Sequence, residues 1–197
     1  MRSSLRWRVK TLHHLSDEMA RSLPSELGFH WPAEEVRRIV SEQVVLALPY
    51  RDFSGIEHLG QLVVHQELAA VATEIFEALF AAKFPLGSMV PVAAFAWDDN
   101  RSMAANNCVG FHFRNKTGKQ ELSWHAYGRA IDINPRVNPY QKDGLILPAG
   151  AVYVPDRPGA CAPDSLPVEL FRARGFTWGG EWTSLRDYMH FELTFRP

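Results

Sequence analysis

Segments with helical and with strand periodicity follow one another without a regular alternation, and this irregular order limits the possible folds more than any other feature. Apolar residues recur at helical spacing over residues 5–23, 33–48, 67–82 and 163–174. Short apolar or alternating runs, typical of strands, occupy residues 62–64, 89–97, 129–134 and 188–195. A parallel sheet with crossover helices would need strands and helices in alternation. The order therefore predicts an α+β fold.

Proline and glycine mark the ends of several segments. Pro32 stands where the second helix would begin. The third helical segment stops before Pro85, since the residue preceding a proline is disfavoured in the helical region. Gly175 closes the last helical segment. Residues 144–154 are predicted to form a hairpin, and the polar residues 98–123 a long irregular stretch of the kind that often carries function.

The size and charge of the chain argue against several classes of function. Its 197 residues favour one domain with an N-terminal extension. The net charge is −1 and the isoelectric point is near 6.7, which does not suggest the clustered basic face of a nucleic-acid-binding protein. No run of about 20 apolar residues occurs, so no membrane-spanning helix is predicted. The basic start of the chain is not followed by an apolar segment, so no secretory signal peptide is predicted within it, and a signal outside it stays open.

The two cysteines, Cys108 and Cys161, lack the C-x-x-C spacing of a thiolate zinc site. They could form a disulfide or remain free as buried thiols. A chain of this size buries enough surface to fold without a disulfide, which favours free thiols.

Three side chains are candidates for a catalytic zinc site, namely His125, Asp132 and His190. Zinc binds histidine nitrogen and carboxylate oxygen, and a catalytic zinc keeps three protein ligands and an open position for water. Asp187, three residues before His190, would take a proton from a water whose pKa the metal lowers to about 7. The H-E-x-x-H pattern of other zinc peptidases is absent. Spacing alone therefore also leaves an ordinary polar role open for each histidine.

Longer motifs surround these residues. Residues 123–134 follow the pattern S-x-H-x-x-G-x-A-x-D-I-N, and residues 175–182 follow G-F-x-W-G-G-x-W, before the D-Y-M-H-F-E of residues 187–192. Further matching segments are Gly60–His65, Ser102–Asn107 followed by Phe111 and Arg114, and Asn138-Pro139-Tyr140. Together they resemble the D-alanyl-D-alanine carboxypeptidase and L-alanyl-D-glutamate endopeptidase family of zinc peptidases, which is related in fold to the hedgehog signalling domain. The resemblance covers residues 43–195.

The resemblance implies a small antiparallel sheet with flanking helices. It divides the chain into an N-terminal helical extension, residues 1–42, and a zinc peptidase catalytic domain, residues 43–197. The implied substrate is a stem peptide of bacterial peptidoglycan, cleaved by L,D-endopeptidase or D,D-carboxypeptidase action. The alternative is a zinc-bearing binding module of the same fold that does not catalyse. Action on the cell wall is expected, while the cellular compartment and the oligomeric state stay open.

The resemblance also assigns roles to single residues. It implies that His125, Asp132 and His190 hold the Zn²⁺ ion and that Asp187 is the general base.

An arginine upstream of the first ligand is expected to hold the substrate or the oxyanion. Arg114 is the candidate and Arg101 its competitor. Ser123 would orient its loop, and Trp178 and Trp182 would either wall the substrate cleft or pack in the core.

Overall fold

The computed structural model describes residues 11–12, 23 and 31–194. The α-helices in these residues are α1 (Ala33–Ser41), α2 (Ala69–Ala81), α3 (Asp99–Ala104) and α4 (Leu166–Arg172). Short 3-10 helices span Gln66–Leu68, Val92–Phe95, Trp124–Tyr127 and Gly179–Glu181. The strands are β1 (Thr11–Leu12), β2 (Gln43–Arg51), β3 (Glu57–His65), β4 (Ala130–Asp132), β5 (Tyr140–Lys142), β6 (Leu145–Leu147), β7 (Thr177–Trp178), β8 (Arg186–Asp187) and β9 (His190–Glu192). Within the described residues, none of the helices combines the length and apolar character that a membrane span requires.

The first sheet has the order β1-β2-β3 and separates two parts of the core. β2 and β3 pair antiparallel along their full length, from Gln43 opposite His65 to Arg51 opposite Glu57. Because successive side chains of a strand point to opposite faces, β2 serves both parts. Val44, Leu46 and Leu48 belong to the cluster that contains α2. Val45 lies on the other side, in the cluster that contains Ile39 of α1.

Two smaller antiparallel sheets carry the C-terminal half. One has the order β4-β9-β7 and the other the order β6-β5-β8. In the first, Asp132 lies opposite His190 and Ile131 opposite Phe191. Phe191 is fully buried and stacks on Phe171 of α4 with ring centroids 4.1 Å apart. This aromatic packing fixes β9, and with it the face of the sheet on which His190 lies.

Several predicted elements are confirmed. The predicted helix 67–82 is α2 with the preceding 3-10 turn, and the predicted helix 163–174 contains α4. The predicted strand 62–64 lies within β3, and the predicted strands 129–134 and 188–195 contain β4 and β9. The mixture of helices with small antiparallel sheets is the predicted α+β class.

The predicted helix 33–48 is wrong in its second half. The helix ends at Ser41, and residues from Gln43 onward form β2. The run Gln43–Leu48 fits both periods. As part of β2 it pairs with β3, which satisfies its backbone groups and buries side chains on both faces of the sheet. β-branched residues such as Val44 and Val45 also favour the strand.

The predicted strand 89–97 is also wrong, because Val92–Phe95 form a 3-10 helix. Pro91 lies at its N-terminal end, and the chain leaves it through left-handed conformations at Ala96 (φ 54°) and Trp97 (φ 62°). An extended strand is incompatible with these angles.

The region 98–123, predicted as irregular throughout, contains α3. The Asp98 side chain caps this helix by accepting a hydrogen bond from the backbone N–H of Arg101 at 3.1 Å.

The hairpin predicted at 144–154 lies earlier, at β5 and β6. Its turn is Asp143-Gly144, where both φ angles are positive (49° and 81°), as a two-residue hairpin turn of this kind requires.

The N-terminal prediction of a helix at 5–23 is wrong at Thr11–Leu12, which pair as strand β1 with Leu46 and Val45 of β2. Apart from these two residues and Leu23, that segment lies outside the described residues. The division into an extension up to residue 42 and a catalytic domain from residue 43 stays a prediction.

Both cysteines are free and fully buried. Burial raises the pKa of the Cys108 thiol to about 12 and raises that of Cys161 as well. Neither thiol is therefore a ready metal ligand or nucleophile.

Candidate metal centre and cleft

His125 lies in the 3-10 helix Trp124–Tyr127, whose start is capped by the Ser123 hydroxyl accepting from the His125 N–H at 3.0 Å. The His125 ring is almost completely buried, and its Nδ1 lies 2.6 Å from the Gly110 carbonyl oxygen. A carbonyl only accepts, so Nδ1 carries the proton and Nε2 presents a lone pair. The backbone thus fixes both the ring orientation and the tautomer of His125.

His125 Nε2 lies close to one possible ligand atom from each of Asp132 and His190. The Asp132 Oδ1 atom lies 3.1 Å from His125 Nε2 and 3.0 Å from His190 Nδ1. The two ring nitrogens are 3.1 Å apart. Ligands about 2.0–2.1 Å from a tetrahedral zinc lie about 3.3–3.4 Å from one another. The triangle of atoms therefore has nearly the size that a zinc ion needs.

Glu192 determines which nitrogen of His190 takes part. Its Oε2 lies 3.0 Å from His190 Nε2, so the carboxylate accepts that N–H and leaves Nδ1 for the centre. Residues 190 and 192 share a face of β9 because side chains alternate along a strand. The sequence motif contained Glu192, but no role was predicted for it. The strand alternation was the signal that pointed to it.

The electrostatics of the centre favour a cation. Despite burial, which raises it, the pKa of Asp132 is held well below its usual range by His125 and His190. Burial lowers the pKa of His125. Burial alone would also lower the pKa of His190, but contacts with Asp132 and Glu192 raise it to about 10. With both tautomers fixed, two nitrogen lone pairs and a carboxylate face one another, and only a proton or a metal ion can satisfy them.

Asp187 lies in β8, opposite Tyr140 of β5. It lines the same cleft of about 370 Å³ as the three candidate ligands. Its buried Oδ1 atom has no hydrogen-bond partner among the described residues. Burial, with the charges of Asp132 and Asp99 adding to it, raises the pKa of Asp187 to about 7. A carboxylate with this pKa can gain and lose a proton near neutral pH.

Of the two candidate arginines, only Arg114 lines the cleft. Its Nη1 donates to the Asn115 carbonyl at 3.3 Å, and its Nε lies 3.3 Å from Asp99 Oδ2. Arg101 lies in α3 with an exposed side chain and is not among the cleft residues. Burial alone would raise the pKa of Asp99, but the contacts with His112 and Arg114 lower it, so this carboxylate is ionised beside the arginine.

The two tryptophans and Ser123 are placed differently. Trp182 lines the cleft, with its ring centroid 5.4 Å from that of His190. Trp178 is buried in the core, where its Nε1 donates to the Tyr188 carbonyl at 2.9 Å, and it does not line the cleft. Of the two placements that the sequence left open for Trp178, the structure shows core packing, and the ring stacks on Phe191. Ser123 lines the cleft and caps the His125 helix, as the loop-orienting role requires.

The loop that carries His125 is held from behind by β2 and β3. The fully buried Gln43 donates from Nε2 to the carbonyls of Ile39 and Tyr127, at 2.8 and 3.3 Å. The His65 N–H donates to the Gly128 carbonyl at 2.9 Å. Sequence reasoning missed Gln43, since a buried glutamine is recognised only once its partners are known.

A comparison with protein families matched residues 117–193 to a family model described as D-alanyl-D-alanine carboxypeptidase. The match contains all three candidate ligands and Asp187. It supports the family resemblance and, at family level, a peptide-cleaving hydrolase. Comparisons with curated proteins and with solved structures gave no match.

Proposed function

We propose, from this family match and the cleft, that the chain is a zinc metallopeptidase that hydrolyses an amide bond in peptidoglycan stem peptides of the bacterial cell wall. The observation that carries the proposal is the meeting of His125 Nε2, Asp132 Oδ1 and His190 Nδ1 within about 3 Å of one another, in one cleft with Asp187.

The donor set fits zinc. Two imidazoles and one carboxylate are the ligand types of catalytic zinc sites, which keep a fourth position open. A zinc ion held by these three side chains would polarise the scissile carbonyl and lower the pKa of a bound water to about 7. The carboxylate of Glu192 and the carbonyl of Gly110 would hold the two imidazoles in the ligating orientation.

Asp187 would accept a proton from the attacking water and later donate it to the leaving group. The attacking water forms the new C–O bond while its proton passes to the Asp187 carboxylate. The C–N bond then breaks, and Asp187 returns the proton to the leaving nitrogen. A group with a pKa near 7 is suited to both transfers.

Arg114 would stabilise the negative charge of the reaction. Its guanidinium lines the same cleft and carries several N–H donors in a fixed plane. These donors suit either the oxyanion that forms at the scissile carbonyl or a carboxylate of the peptide. A terminal carboxylate would be expected for carboxypeptidase action and an internal one for endopeptidase action.

The proposal is tested by incubating the zinc-loaded chain with purified muropeptides and identifying the products by mass spectrometry. We expect hydrolysis that a chelator abolishes and added zinc restores, and the product masses distinguish endopeptidase from carboxypeptidase cleavage. Asp187→Ala should lose at least a hundredfold in kcat with zinc still bound. Zinc binding without hydrolysis of any muropeptide would contradict the proposal and favour a binding module.

A further inference from the structure

Asp99 bridges two basic side chains at the edge of the cleft. It is the first residue of α3 and lines the cleft together with Arg114. One carboxylate oxygen, Oδ2, lies 3.3 Å from Arg114 Nε, and the other, Oδ1, lies 3.4 Å from His112 Nδ1. The function proposed above assigns nothing to Asp99 or His112.

Both basic groups depend on this carboxylate. Arg114 Nε and His112 Nδ1 are buried, and neither has a hydrogen-bond partner within the described part of the chain. Their ion-pair contacts in that part are to Asp99. Burial of a charged or polar group without a partner is costly, so the Asp99 carboxylate compensates both at once.

His112, which contacts Asp99 through Nδ1, is itself held by contacts at the opposite side of its ring. Its ring is buried, with 2% of its surface exposed, and its Nε2 lies 3.1 Å from the Trp97 carbonyl oxygen. The Trp97 and His112 rings are in contact, with centroids 6.2 Å apart. The imidazole is therefore fixed from two sides, and it limits the positions that Asp99 can take.

The Arg114 side chain makes few other polar contacts with the described residues. The side-chain hydrogen bond that it makes in the described residues is from Nη1 to the adjacent Asn115 carbonyl, at 3.3 Å. A long arginine side chain loses considerable rotamer entropy when it is fixed. The Asp99 contact restrains the Nε end of the guanidinium, in a residue that lines the cleft.

We propose that Asp99 is a positioning residue that holds the Arg114 guanidinium in the orientation required to bind the oxyanion or a carboxylate of the peptide, with His112 as the anchor of Asp99. The inference rests on the proposed peptidase function, because it acts through Arg114 in that same cleft. Asp99 itself need not touch the substrate.

A double-mutant cycle tests the coupling. Asp99→Asn, Arg114→Ala and the double variant are compared with the parent in kcat/KM on one muropeptide. Asp99→Asn should lose about 10- to 100-fold alone and less than about threefold in the Arg114→Ala background, because residues that act as one unit are not additive. Equal losses in both backgrounds would overturn the inference while leaving the peptidase function intact.

Asp98→Asn is the matched control, since Asp98 neighbours Asp99 but only caps α3. Asparagine also caps helices well, so activity should be unchanged in both backgrounds. Asp99→Glu, which keeps the charge, should recover part of the lost activity. A melting temperature for each variant separates positioning from loss of the fold.

A second measurement does not depend on hydrolysis. NMR of the arginine Nε–H groups should show the Arg114 proton protected from exchange with solvent in the parent and exposed in Asp99→Asn. Unchanged protection in a folded Asp99→Asn variant would overturn the inference even if no substrate is cleaved. Absence of hydrolysis with normal protection in the parent would instead count against the proposed function alone.

Discussion

At the scale of single residues, the candidate centre is determined as much by the partners of the ligands as by the ligands. Each histidine has one nitrogen held by the protein, His125 by the Gly110 carbonyl and His190 by the Glu192 carboxylate. The remaining nitrogens are thereby directed at Asp132. The three candidate ligands were predicted from motifs. The proposed role of Asp99 depends on contacts with residues distant in the chain, whereas Glu192 lies two residues from His190 on the same strand.

Glu192→Gln tests this dependence on partners. The amide oxygen can still accept from His190 Nε2, but the charge that supports the imidazole is lost. We expect zinc affinity to fall about 10-fold, within the range seen when such outer partners are changed. Competition with a chromophoric chelator measures it. Glu181→Gln, which removes an exposed charge paired with Arg172, is the control, and an equal affinity in both variants would contradict the account.

Asp187 should lower the stability of the metal-free protein above neutral pH. Its folded pKa, about 7, is above its usual 3.8, so its contribution to stability is fully present below about pH 4 and is lost as the pH rises through 7. Asp187→Asn should therefore raise the melting temperature by several degrees at pH 8, with a gain that shrinks toward pH 4. Thermal unfolding in the presence of chelator measures this.

Asp164→Asn, at an exposed position, serves as the control and should show no such pH-dependent gain. A destabilised Asp187→Asn variant at pH 8 would mean that the carboxylate is stabilised by the fold rather than strained.

At the scale of elements, short segments bring the candidate residues together. His125 depends on a 3-10 helix of four residues that ends at Gly128, in the left-handed conformation with φ 64°. A Cβ atom at Gly128 would lie 1.9 Å from Gln43 Oε1 and 2.5 Å from the His65 nitrogen. Glycine is therefore required here for two reasons, the backbone angle and the close approach of β2 and β3.

Gly128→Ala should destabilise the chain by about 3–5 kcal/mol, from the backbone strain together with the overlap. Gly118→Ala is a matched control, because Gly118 has a similar φ of 74° but nothing lies within 4 Å of an added Cβ. That variant should lose only about 1 kcal/mol. Urea unfolding measures both, and equal losses would show that the contact with Gln43 does not restrain the loop.

The secondary-structure predictions were wrong where the local residue pattern favours one element and the contacts of the folded chain favour another. α2, with apolar residues in helical register over four turns, needed no distant information. The sequence predicts the run Val44–Leu48 as the end of a helix because its apolar residues suit either period, and only the pairing with β3 distinguishes strand from helix. The strand predicted after Met89 is wrong because Ala96 and Trp97 adopt left-handed conformations. Neither residue is glycine, so the sequence did not indicate these conformations.

At the scale of the whole molecule, the candidate site lies between the small C-terminal sheets and the loop that β2 and β3 support. β4 and β9 supply Asp132 and His190, β8 supplies Asp187, and the loop supplies His125. Motif resemblance predicted this set because it reports on residues that are distant in the chain but adjacent in the fold. It could not distinguish the two placements predicted for Trp178, since a tryptophan suits a cleft wall and a core equally well.

The most direct test of the account is a crystal structure of the zinc-loaded chain with anomalous data collected on both sides of the zinc absorption edge. We expect one strong anomalous peak about 2.0–2.2 Å from His125 Nε2, Asp132 Oδ1 and His190 Nδ1. The Glu192 carboxylate should remain on His190 Nε2. A peak bound by other side chains, or none at these three atoms despite stoichiometric zinc in solution, would contradict the account.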